Sequence, residues 1–85
     1  MYDYQEQKKN IFTEEGQVMF LKIRDEAKQL LETAGAFTVG KVISCCSGDS
    51  WYRVACVDRL FELGEIREIT GKNVAGQDRV FVSVR

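Results

Sequence analysis

The sequence predicts a single α+β domain, with helices first and a β-hairpin last. Three observations carry this. Residues 13–34 repeat apolar side chains at helical steps. Residues 48–69, GDSWYRVACVDRLFELGEIREI, read as a helix that stops at a glycine and feeds straight into a strand. Residues 79–84, RVFVSV, alternate as a return strand after a turn bracketed by Gly71 and Gly76.

Eighty-five residues make one domain with a modest core. A composition of 45% hydrophobic and 29% charged residues is ordinary for a globular chain. With 12 basic and 13 acidic side chains the net charge is −1, which argues against a strongly electrostatic nucleic-acid binder. No apolar run approaches the roughly 20 residues needed to cross a bilayer. The N-terminal MYDYQEQKKNIF has no apolar signal region. A cytoplasmic protein without membrane contact is expected. Cys45, Cys46 and Cys56 lack zinc-ligand spacing and the chain has no histidine. They read as small buried apolar residues, with no metal or other cofactor implied. The same missing inventory, with no phosphate loop and no paired-carboxylate cleft, argues against an enzyme.

Residues 1–12 show no apolar period. They are expected to be a flexible arm that packs on the domain through Ile11 and Phe12, or whose Tyr2 and Tyr4 dock on a second subunit. Residues 13–85 form the domain proper. Thr13 suits an N-cap, and Glu14 and Glu15 suit the positive end of a helix. Gly16 is expected to weaken the first turn. Phe20, Ile23, Ala27, Leu30 or Leu31, and Ala34 share one face of the helix over 13–34, and Gly35 stops it. Residues 36–38 fit a short third strand. Thr38 then caps a second helix with Val39, Val42, Ile43 and Cys46 on one face; a strand over 37–46 competes. Ser47–Gly48–Asp49 is a tight turn, with Asp49 or Ser47 capping the helix over 50–63.

At 100° per residue, Val54, Cys56, Val57, Leu60, Phe61 and Leu63 of this third helix gather on one side. Trp51, Ala55, Asp58 and Glu62 fall on the other, with Arg59 flanking. Gly64 ends the helix, Glu65–Ile69 reads as a half-buried strand, and Lys72–Ala75 as a hairpin tip.

The run VDRLFELGEI, Val57–Ile66, followed by QDRVFV, Gln77–Val82, resembles the winged helix-turn-helix superfamily over roughly residues 13–84. The resemblance implies three helices and a hairpin wing. It also implies a small DNA-binding protein, a transcriptional regulator on double-stranded DNA, with a homodimer as one arrangement. In DNA-binding members the third helix enters the major groove and the wing touches the backbone or minor groove. Carried over by position, Ser50, Trp51, Arg53, Val54 and Ala55 would read bases. Lys41, Arg59, Lys72 and Arg79 would contact phosphates, with Asn73 beside Lys72 on the wing.

The outward face of that helix departs from the pattern. Base edges and phosphates call for donors, whereas Asp58 and Glu62 repel phosphate. The alternative expectation is a protein-interaction module that uses the face around Trp51, tryptophan being a common anchor. The plain reading of Trp51 is that it leans onto the arm or the second helix as core.

Overall fold

The computed structural model describes residues 1–71 and 76–84. Over these residues the chain is α+β, with four helices and a three-stranded antiparallel sheet. It begins with one helical turn, α1 (Tyr4–Gln7), and a 3-10 turn over Lys8–Phe12. The long helix α2 follows (Glu14–Ala34), then strand β1 (Ala36–Thr38) and a short helix α3 (Val39–Ile43). Helix α4 (Ser50–Glu62) leads into strand β2 (Ile66–Glu68). A second 3-10 turn, Gly76–Asp78, precedes strand β3 (Val80–Ser83).

Each helix starts and stops where its sequence supplies a partner for orphan backbone groups. Thr13 Oγ1 accepts the Gly16 N–H at 3.0 Å, opening α2. Thr38 Oγ1 does the same for Lys41 in α3 at 3.2 Å. Asp49 Oδ1 accepts from Trp51 N at 2.8 Å, opening α4. α4 ends in a Schellman arrangement: Glu65 N donates to Leu60 O and Gly64 N to Phe61 O, each at 3.0 Å. Gly64 takes φ +77, a left-handed conformation that a side chain would resist.

β3 is the central strand of the sheet, in the order β1-β3-β2. Phe37 of β1 sits opposite Phe81 of β3, and Glu68 of β2 opposite Phe81 on the other side. Phe81 is fully buried, stacked on Phe37 with ring centroids 5.8 Å apart. The alternation of β3 therefore turns Phe81 inward and leaves Val80 and Val82 half-buried. Phe20, Ile23 and Ala27 from α2 and Val39, Val42 and Ile43 from α3 complete the core with Val57 and Leu60 of α4.

Two expectations about α4 are corrected. Ala55 is fully buried and Asp58 is 9% exposed, although both were placed on the outward face. Phe61 and Leu63, placed inward, are 46% and 47% exposed. Helical angle separates inward from outward residues only for a helix covered on one side. Here α2 covers one side and residues 1–12 cover another, so the middle of α4, Ala55–Asp58, is interior and both of its ends emerge. The N-terminal segment is folded into helical turns and packed on α4, and Ile11 packs on the domain as expected, only 2% exposed. Phe12, expected to pack beside Ile11, is exposed. Of the three cysteines only Cys56 is buried, and burial pushes its thiol up to about 12.

Candidate functional site

The outward face of α4, where a DNA-reading surface was expected, is closed by the chain's own N-terminal segment. Asp3 caps α1 by accepting from Gln5 N at 2.9 Å. Thr13 is the single non-helical residue between the 3-10 turn and α2, with φ −91 and ψ 165. Its hydroxyl donates to Asn10 O at 2.9 Å while accepting from Gly16 N. Gln17 Nε2 donates to Ile11 O at 2.6 Å. The segment returns so closely over Gly16 that a Cβ there would lie 1.9 Å from Asn10 O. Gly16 is thus a crossing point rather than a weak spot in the helix.

The segment meets α4 through polar groups matched to the two acids. Tyr2 donates its phenol O–H to Asp58 Oδ2 at 2.6 Å. Tyr4 donates to Glu62 Oε1 at 2.9 Å, and Lys8 Nζ donates to Glu62 Oε2 at 3.0 Å. Arg59, on α4 itself, donates to Glu62 Oε1 at 2.6 Å and lies over the Phe12 ring, 5.3 Å from its centroid. The Tyr2 ring meets Trp51 edge-on at 6.3 Å. Trp51 does lean on the segment, yet stays 41% exposed.

The electrostatics follow from these partners. Donation from Lys8, Arg59 and Tyr4 holds the Glu62 carboxyl down at about 2. Burial, then the bonds to Asp58 and Glu62, raise the Tyr2 and Tyr4 phenols above their ordinary range, so both remain donors at neutral pH. Arg79 donates to both oxygens of Glu68 at 3.1 and 3.0 Å and lies 3.0 Å from Asp58 Oδ1. It lowers the Glu68 carboxyl, and Glu68 in turn raises the guanidinium. A carboxylate with a depressed folded value contributes stability above its unfolded value, and that contribution is lost as the folded value is crossed on acidification. For Glu62 the window runs from 4.5 down to about 2. We expect the urea midpoint of unfolding to fall across that window, and Glu62→Gln to flatten the fall.

The residues assigned to DNA are dispersed by this packing. Ala55 has no exposed surface, and Val54 is half-buried against the core. Arg53 turns inward: its Nη1 donates to Ile43 O at 2.9 Å and to Cys46 O at 3.1 Å, closing the end of α3. Arg59 and Arg79 are committed to Glu62, Asp58 and Glu68. Lys41, Ser50 and Trp51 remain exposed. Lys72 and Asn73 lie outside the described residues. Arg53→Ala leaves two carbonyls short of a donor, and a loss of about 2 kcal/mol in a urea melt is expected.

Sequence reasoning placed Ile11 on the domain but missed Lys8, Tyr52 and the bonds of Tyr2 and Tyr4 to the chain's own α4. The available signal was Asp58, in the middle of a helix that proved to be covered there, since a buried acid demands partners. Tyr52, 41% exposed beside Trp51, lines a cleft of about 450 Å3 together with Ile11, Met19, Cys56, Glu14 and Glu15. An adjoining hollow runs past Trp51 to Glu6, Lys9 and Asp49. Among the described residues no group of three His, Cys, Asp or Glu could hold a metal ion, and no helix is long and apolar enough to cross a membrane. No protein-family model, curated protein or solved structure matches the chain.

Proposed function

We propose that the chain is a winged-helix domain that binds a protein rather than reading DNA through α4. The order helix, strand, helix, helix, hairpin supports the winged-helix reading, with β1 pairing to the return strand of the hairpin. The observation that carries the protein reading is the corner formed by Trp51 and Tyr52. Two adjacent aromatic side chains, each 41% exposed, stand between a cleft and a hollow edged by Glu6, Glu14, Glu15 and Asp49. That rim carries more acid than base and disfavours phosphate. It complements an apolar side chain flanked by lysine or arginine. Aromatic side chains of this kind serve as interface anchors.

The test compares the full chain with Trp51→Ala in pull-downs from its native host, followed by direct titration of any protein retained by the full chain alone. Trp51→Ala is expected to keep the fold and to weaken binding of that purified partner by about thirtyfold or more, an anchor being worth about 2 kcal/mol or more. Binding to a mixed duplex DNA pool is expected to be absent at low salt. Salt-sensitive duplex binding, lost in Lys41→Glu, would refute the proposal. It would favour the second reading, a DNA-binding regulator using Lys41 and Ser50, the exposed donors at the junction of α3 and α4.

A further inference from the structure

We infer that residues 1–12 are an exchangeable element, able to dock on α4 of a second copy of this chain as they dock on their own. This goes beyond the partner reading above and does not depend on it.

The segment is joined to the body at one point. From Tyr4 to Ala34 every residue except Thr13 lies in a helical turn or helix. A change of backbone angles at that residue lets the chain run on as one helix and carries residues 1–12 away from α4. The contacts broken include Tyr2 with Asp58, Tyr4 and Lys8 with Glu62, Tyr2 with Trp51, Phe12 with Arg59, Gln17 with Ile11 O, and Ile11 with the core, besides the Thr13 bond to Asn10 O at the hinge itself. Apart from that hinge bond, none of them requires that the segment and the body it docks on belong to the same molecule.

An open monomer leaves the Ile11 site empty and Asp58 short of a donor, so it does not accumulate. A second copy restores each contact except the hinge bond with the same residues. Exchange then costs that bond and the entropy of association and gains the continuous helix. The docking face is therefore matched in shape and charge to one occupant already present in the sequence. Its aliphatic anchor is Ile11, its cation Lys8, and its phenol donors Tyr2 and Tyr4.

Thr13 sets the balance. Its hydroxyl caps α2 and holds Asn10 O, both of which favour the closed turn. Alanine removes both bonds and favours helix at the hinge. Sedimentation of the full chain across a concentration series is expected to show a monomer–dimer equilibrium, with the dimer fraction several-fold higher in Thr13→Ala. A charge exchange locates the interface. Lys8→Glu alone and Glu62→Lys alone each place like charges between segment and α4. Mixed, each segment matches the other variant's α4 on exchange, so native mass spectrometry is expected to find heterodimer above its statistical share. Circular dichroism confirms that each variant is folded. Folded Thr13→Ala that stays monomeric at every soluble concentration would overturn the inference. So would dimers of the mixed variants formed only at the statistical share, because their interface would then lie elsewhere.

Discussion

Gly16→Ala is expected to lower stability by about 3 kcal/mol, the upper range for overpacking a close contact. The sign is opposite to the usual one, since alanine within a helix ordinarily gains up to about 1 kcal/mol over glycine. The clash decides it. The new methyl would sit 1.9 Å from Asn10 O and 2.8 Å from the Ile11 backbone. These are backbone atoms held by Thr13 and Gln17, so they do not swing aside as a flexible side chain would. Urea unfolding followed by circular dichroism measures the loss. A neutral or stabilising result would mean that residues 10–11 do not cross α2 at this point.

The second large effect is expected at Asp58. Asp58→Ala removes the acceptor of the Tyr2 phenol and one of the two carboxylates that face Arg79. Breaking a buried charged pair by removing one partner costs about 3 kcal/mol. Glu68 continues to hold Arg79, which keeps the effect at that lower limit. Tyr2→Phe removes the phenol bond alone and is expected to cost about 2 kcal/mol, as for a hydrogen bond to a charged group. In a double-mutant cycle the two changes are expected to be less than additive, because they share that bond. Full additivity would show that Tyr2 and Asp58 do not interact.

Local signals in the sequence located most of the elements. Thr13, Thr38 and Asp49 cap the helices as their positions implied, and Gly35 and Gly64 stop them. These are nearest-neighbour effects, decided by a few residues of backbone. The short strand at 36–38 and the α+β order were legible for the same reason. The environment of α4 was not, because it depends on a contact between residues 56 and 58 positions apart, Tyr2 with Asp58 and Tyr4 with Glu62. Helical angles sort residues into faces but do not say how many faces are covered. Asp58 and Glu62 therefore read as an outward acidic pair that repels phosphate, when they are acceptors for an incoming segment. Arg53, Arg59 and Arg79 suffered the same ambiguity: an arginine at a groove-facing position and one capping carbonyls or pairing carboxylates have the same letter and spacing. Residues 1–12 lacked a period because their single buried anchor, Ile11, is enough to seat two short turns.

Residues 1–12 cover the outward face of α4 around Asp58 and bond to Glu62 at its edge. The most direct test of this cover is a nuclear Overhauser spectrum of the chain at neutral pH. Cross-peaks are predicted between the Tyr2 ring and the Trp51 indole, whose centroids lie 6.3 Å apart, and between Ile11 methyl groups and side chains of α2 and α4. Random-coil shifts for residues 2–12, with no cross-peak to α4, would contradict this and return Asp58 to solvent.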